Sequence, residues 1–212
     1  MADVEAMLFV RKQLFEGNLI CFAPINHEHD PEILSRWSHD VEYLRLLDTS
    51  PAYPRSTSKV KKQLEKIEKR IDEEKNLFFF MLRARSEDRL IGFAMLDWIS
   101  WSNRTAWIKL GIGDIRDRQL GYGSEALAML TRYAFNEINL HRISAAIPEY
   151  HHSALRFFQK SGFSQEVCRR QAIARDGRRW DLYLYGLLRE EWLAHSTTVG
   201  EQTDPGIVDR PA

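Results

Sequence analysis

Asp114-Ile115-Arg116-Asp117-Arg118-Gln119-Leu120-Gly121-Tyr122-Gly123-Ser124-Glu125-Ala126 is the stretch on which the reading of this chain turns. An apolar run of strand length, residues 105–112, leads into it, and two glycines then stand at the start of a helical pattern. Glycine lets a backbone approach a ligand closely, and a helix start offers unpaired N–H groups at the positive end of its dipole. Together these make an anion site, most often for phosphate. Glycines two apart also shape ordinary tight turns, so the loop alone leaves both readings open.

Upstream of the loop, residues 19–25 read as a first strand, and Asp30-Pro31-Glu32 opens a helix with Asp30 as its cap. The N-terminal helices cover 30–47 and 56–76; in the second, Val60, Leu64, Ile67 and Ile71 line one face and alternating charges the other. Runs at 77–82, 90–96 and 105–112, joined by short polar turns, imply an antiparallel meander. Downstream come a helix from Ser124 to about Asn136, a strand at 141–147, and a helix at 152–161 closed by Gly162. Two final strands flank the hairpin signal Asp176-Gly177. The expected architecture is one α+β (mixed α/β) domain over residues 1–195, with 196–212 as a flexible tail.

The 212 residues carry 30 basic and 30 acidic side chains, so no bulk positive field favours nucleic acid. Cys21 and Cys168 are too few for a disulfide scaffold, and residues 1–10 lack the basic and apolar regions of a leader. No run approaches a membrane span, no metal-ligating set is apparent, and a cytoplasmic protein is expected.

Three phosphate loops compete for the glycine stretch. A Walker loop requires a lysine that is missing here. Gly121-x-Gly123-x-x-Ala126 formally satisfies the dinucleotide fingerprint, with Glu149 near the ribose distance. However, residues 114–120 separate the strand from the first glycine, and too little chain follows to build the remaining parallel strands. A dinucleotide-binding protein is the distant third reading.

The other reading covers far more of the chain. Arg118-Gln119-Leu120-Gly121-Tyr122-Gly123 resembles the pyrophosphate loop of the GNAT superfamily of acetyl-CoA-dependent N-acyltransferases, in the group of ribosomal-protein and spermidine-type acetyltransferases. Tyr133-Ala134-Phe135 through Asn139-Leu140-His141-Arg142 resembles the family's helix end and next strand. Ser153 to Phe158 with Gly162-Phe163 resembles its next helix and closure, and 176–192 its terminal hairpin. The likeness is strong over 105–192 and weaker over 19–104.

That resemblance implies a mixed, mostly antiparallel sheet of about seven strands, splayed between strands 4 and 5. It implies acetyl-CoA as cofactor and direct acetyl transfer to a primary amine: a protein N-terminus, a polyamine or a small amine. A homodimer is compatible with it. Backbone N–H groups from Gln119 to Ser124, with Arg118, Leu120, Gly121, Tyr122 and Gly123 in the same cradle, would hold the pyrophosphate. Ile112, Gly113 and Asp114 would pair with the pantetheine arm, and the N-terminal helices would form much of the acceptor site.

Two family positions differ here. Phe158 stands where the family commonly has a tyrosine acid, and His151 where it has a coenzyme-holding asparagine. Phenylalanine donates no proton. Three readings stay open: the thiolate leaves unaided or through water, His151 bonds the coenzyme or acts as base, or the chain is a non-catalytic acyl-CoA-binding module. Trp107 occupies the frequent glutamate position, which leaves Glu149 and Asp114 as acidic candidates. Plainer readings place Cys168 and the tryptophans Trp98, Trp101 and Trp107 in the core, and His141-Arg142 in a structural role. Arg169, Arg170, Arg175, Arg178 and Arg179 read either as an anion grip or as a solvated hairpin balanced by Asp176 and Asp181.

Overall fold

The structure, a computed structural model, describes residues 14–201, with side chains as far as residue 195. Strand β1 (Ile20–Ala23) is followed by helices α1 (Asp30–Trp37), α2 (Val41–Leu47) and α3 (Thr57–Glu74). Strands β2 (Phe78–Ala84), β3 (Arg89–Ser100) and β4 (Thr105–Ile112) come next, then helix α4 (Tyr122–Arg132). The chain ends in β5 (Arg142–Pro148), α5 (His152–Lys160), β6 (Ser164–Arg175), β7 (Arg178–Leu188) and α6 (Arg189–Glu201).

All seven strands form one sheet in the order β1-β2-β3-β4-β5-β7-β6. Every neighbouring pair is antiparallel except β4 and β5, which run parallel. Their pairing is brief: Thr105, Ala106 and Trp107 face Arg142, Ile143 and Ser144, and then the strands part. Beyond Trp107, β4 has no partner on its β5 side, so the sheet opens there. Seven strands, mostly antiparallel and splayed between the fourth and fifth, is the predicted architecture.

Two apolar layers cover the sheet. On one face α4, the turn after it and α5 bury Leu127, Leu130, Phe135 and Phe158 with Ile143, Ile147 and Tyr185. On the other, Trp37, Tyr43, Leu44, Val60 and Leu64 from α1 to α3 pack over Met81 and Phe93. Alternation along the strands supplies both faces. The α3 pattern works as its spacing predicts, since Val60 and Leu64 are buried while Ser56 accepts the Lys59 N–H.

Side chains fasten the helices to the sheet. Glu125, in the first turn of α4, accepts the N–H groups of Asn18, Leu19 and Ile20 at 2.6–2.8 Å and so ties the edge strand to the helix start. Arg70 of α3 reaches Asp97 of β3 at 2.9 Å. Arg45 of α2 pairs through both nitrogens with Asp176 at 3.0 Å, and Arg175 donates to the carbonyls of Asp48 and Ser50. The Asp176-Gly177 turn, with φ of 52° and 70°, is the expected primed hairpin, and it leans on α2. Asp176 therefore serves α2 and leaves the hairpin arginines unbalanced by it. Asp181 accepts the Gln171 N–H at 2.7 Å and still faces the Arg170 charge, which helps to hold its carboxyl below the usual value.

Several local expectations are corrected. His29, not Asp30, is the α1 cap; the Asp30 carboxylate accepts the Asn26 N–H and an Arg83 bond instead. The segment 30–47 is two helices, because Asp40 caps a new one by accepting the Tyr43 N–H. Helix α4 starts at Tyr122, and its pattern ends in a π-turn over Tyr133–Glu137. Gly162 closes α5 as expected, with φ of 87° and a Phe163 N–H reaching back to Phe158. Cys168 is exposed on edge strand β6, 3.2 Å from Asp181, not in the core. Trp98, Trp101 and Trp107 are also exposed; Trp98 stands at the β3 bulge with φ of 53°, and Trp101 sits in the β3–β4 turn. Helix α6 runs to Glu201, through the start of the expected tail; residues 1–13 and 202–212 lie outside the described residues.

Candidate functional site

At the open edge of β4 the chain turns through a short 3₁₀ turn, Ile115–Asp117, before reaching α4. Asp114 caps that turn by accepting the Arg116 N–H, and the Arg116 guanidinium holds its carboxyl well below the usual range. Asp117, buried, receives both nitrogens of Arg89 at 2.7 and 2.9 Å, so β3 fixes the turn from below. The chain then passes Gln119 and Gly121, both left-handed with φ of 64° and 90°. The first helical bond runs from the Glu125 N–H to the Gly121 carbonyl, 3.0 Å. The N–H groups of Tyr122, Gly123 and Ser124, ahead of that bond, therefore open from the helix start.

A cavity of about 320 Å³ lies between this helix start and the splay. Ile112, Arg118, Gln119, Gly121, Gly123, Ser124, His151 and Phe158 all line it, although they come from three separate segments. Five other candidates do not. Gly113 is pressed against Trp37, where an added Cβ would stand 2.1 Å from the indole. Asp114 serves its turn, Leu120 points to solvent, and Tyr122 packs against the core. Glu149 is turned to β7, where its carboxylate accepts the Asp181 N–H at 2.9 Å.

Phe158 is buried in edge-on contact with Phe157 and Phe163, and it forms an apolar wall. His151 precedes α5 on the same side; burial and then the Arg118 charge push its imidazole down to about 4, against a bond with the Leu46 backbone. It is a neutral imidazole at physiological pH. Arg118 is held by the Gly113 carbonyl at 3.2 Å, with Asp40 3.9 Å away.

The sequence reading set the N-terminal helices at the acceptor side but named none of the residues of the third wall. Helix α2 supplies Tyr43, Leu46 and Leu47, and the loop supplies Asp117. Tyr43 and Leu47 also line a second cavity of about 290 Å³ under α1 to α3, with Leu44, Phe79, Phe93 and Met95. Lys109 and Asp48 meet there at 2.5 Å; burial raises the Asp48 carboxyl, but the Lys109 bond outweighs it and holds it at about 2. Nothing near Tyr43 in the sequence marks it, since it sits in an ordinary helical pattern.

The Arg89–Asp117 pair gives a direct test of how the loop is held. Replacing Arg89 with Met strands a buried carboxylate, at a cost of about 2–3 kcal/mol, reduced by the half-exposed position of the arginine. Denaturant unfolding is expected to show that loss, with coenzyme A affinity down about tenfold by calorimetry as the loop loosens. Unchanged affinity beside the stability loss would separate the pair from the site.

An open sheet parting between parallel strands, with a glycine-led helix start at the opening, is the architecture of a coenzyme A-dependent acyltransferase fold. The chain belongs to the GNAT acetyltransferase family: the family model described as the acetyltransferase (GNAT) domain matches residues 20–164. An uncharacterised N-acetyltransferase of Bacillus subtilis (strain 168), YnaD, is 38% identical over 72 residues, which are 34% of this chain and 42% of that protein. The match thus spans less than half of that relative. Among solved structures, spermidine N-acetyltransferase from Vibrio cholerae in complex with CoA and spermine superposes with a TM-score of 0.72 at 16% identity, covering 84% of this chain and 99% of that one. The ribosomal L7/L12 α-N-protein acetyltransferase RimL in complex with coenzyme A gives 0.71 at 15%, covering 81% and 95%. At such identities the likeness is one of fold.

Proposed function

We propose that this chain is an acetyl-CoA-dependent N-acetyltransferase that transfers the acetyl group directly to a primary amine. The observation carrying the reading is the continuity of the helix-start cradle with the β4–β5 opening in one cavity. Both ends suit coenzyme A. Beside Gly123 an added Cβ would meet only Ile112, at 4.0 Å, so the cradle floor is bare backbone. Beyond Trp107, β4 offers an unpaired ladder edge to the two pantetheine amides. The N–H groups of Gln119 to Ser124 would take the pyrophosphate, with the Ser124 hydroxyl and Arg118 beside them, and Ile112 would flank the arm. Bound there, the coenzyme supplies an activated acyl group.

The protein's part is position and electrostatics. Phe158 keeps water from the reacting end. His151, neutral, offers one ring nitrogen to the arm or to the amine proton, while Glu149 stays with β7. The domain is taken to cover residues 1–195, with the N-terminal helices shaping the acceptor side. A homodimer and a cytoplasmic setting belong to the same reading; no helix among the described residues is long and apolar enough to cross a membrane.

The second cavity narrows the acceptor. It carries Arg55, Arg70 and Lys109 against Asp48. Lys109 takes Asp48, Arg70 takes Asp97, and Arg55 has no carboxylate partner among the described residues. That positive surplus opposes a polycation. A peptide N-terminus or a small monoamine is therefore favoured over a polyamine. Thiol release from acetyl-CoA across an amine panel tests this, with kcat/KM for spermidine expected at least tenfold below the best monoamine or peptide. Spermidine as the best acceptor overturns the assignment. Coenzyme binding without release on any amine would instead favour the non-catalytic module, to which Phe158 already points.

A further inference from the structure

The family's usual proton donor is absent at Phe158, yet a hydroxyl reaches the same cavity from the opposite wall. Tyr43 is buried, 6% exposed, on α2. Its ring packs edge-on to Trp37 at 6.1 Å, and Leu44 and Leu47 flank it on the same helix. Its hydroxyl lies over Gly111 of β4, 3.4 Å from where a Cβ on that glycine would stand. Gly111 belongs to the part of β4 that has no partner on β5. Tyr43 thus overhangs the opening where the sheet parts, and it lines both cavities at their junction.

The Tyr43 hydroxyl is not among the enclosed side-chain atoms left without a partner, so its oxygen opens into the cavity that the residue lines. No side-chain or backbone group among the described residues hydrogen-bonds the Tyr43 hydroxyl, while its main-chain N–H is taken by Asp40. A residue kept only for packing would be as well served by phenylalanine, which Phe79 and Phe93 supply close by.

We propose that Tyr43 is a catalytic residue that hydrogen-bonds the coenzyme sulfur and hands it a proton as the acetyl group leaves. This rests on the acetyl-CoA reading above. The amine nitrogen forms the C–N bond with its lone pair, and the C–S bond breaks with its electrons passing to sulfur. The Tyr43 Oη proton goes to sulfur, and the proton that nitrogen sheds returns through cavity water to the phenolate. No further reactant is needed, and Tyr43 ends as it began. Burial pushes the phenol up, with the Arg118 and Arg55 charges opposing and Asp40 adding, so the group holds its proton throughout the neutral range.

Tyr43→Phe removes one oxygen that bonds no protein group, so the variant is expected to keep its fold and melt within about 2 °C of the parent. A binding cycle with coenzyme A and desulfo-coenzyme A, measured by calorimetry, reads the contact without turnover. Loss of the sulfur is expected to weaken binding about fivefold in the parent and less than twofold in Tyr43→Phe. With the best acceptor, kcat is expected to fall about 30–100-fold, with KM for acetyl-CoA within threefold. Equal sulfur effects in both proteins, or an unchanged kcat, overturn the role of Tyr43. Failure of the parent to bind coenzyme A would instead sink the acetyl-CoA reading itself.

Discussion

Replacing Gly123 with leucine is expected to abolish coenzyme A binding, raising Kd at least 100-fold, while the protein melts within about 2 °C of the parent. The two halves of that result come from different parts of the geometry. Gly123 sits in the first turn of α4 with no left-handed φ, so a side chain strains no backbone. An added Cβ meets only Ile112, at 4.0 Å, in what is ordinary contact. Leucine is also the better helix former, which offsets part of any cost. Its side chain, however, would fill the cavity wall where the cradle N–H groups open. Gly121→Ala forms the contrast, because Gly121 has φ of 90° and Leu19 Cδ1 would stand 3.2 Å from the new carbon. That variant is expected to lose about 1–2 kcal/mol of stability. Calorimetry with coenzyme A beside thermal melts decides the matter. Retained affinity in Gly123→Leu would remove the helix start as the anion site.

Arg83→Met is expected to cost about 3–5 kcal/mol, a large share of a total stability of about 5–15 kcal/mol. Asp30 is fully buried at the head of α1, and Arg83 of β2 donates to its Oδ1 at 2.7 Å. Its other oxygen accepts the Asn26 N–H. Methionine leaves a charged carboxylate inside the protein with one neutral donor, and removing one member of a buried pair is far costlier than removing both. Arg83→Met with Asp30→Leu is therefore expected to recover more than half of the loss. Denaturant unfolding measures both, and a single-variant cost under 1 kcal/mol would show that the pair is not what holds α1 down. Because Trp37 at the end of α1 packs against Tyr43 and Gly113 beside the cavity, the weakened protein should also bind coenzyme A less tightly.

Both expectations use contacts that differ in how legible they are. Gly123 could be picked out from its neighbours, since a helix start and its flanking glycines lie within a dozen residues of one another. The Asp30–Arg83 pair spans 53 positions, so the local pattern at Asp30-Pro31-Glu32 presents Asp30 only as a helix cap. Glu125 reaches residues more than a hundred positions away to tie down β1, and nothing in its local pattern says so. Trp98, Trp101 and Trp107 mislead in the opposite direction. Their chemistry suits a core, but a bulge at Trp98 and a turn at Trp101 turn those side chains outward. Glu149 has the right spacing for a site residue, yet the strand beside it claims its carboxylate.

The sequence by itself determined the seven strands and the helices at 57–74, 122–132 and 152–160, together with the glycine cradle, while the splay of the sheet came from the family resemblance. The break at Asp40 and helix α6 were not legible in it. The elements and the cradle depend on periodicity or on backbone chemistry that acts over a few residues, whereas the splay is what the resemblance implied. Only the tertiary structure decided which candidates share a wall. It set His151 and Phe158 beside the cradle, turned Glu149 and Asp114 away, and lowered Tyr43 from α2 over the opening in β4. The physical reason is that a cavity's electrostatics arise from burial and from partners brought in by other elements. Those are properties of packing, and a linear pattern carries no record of them.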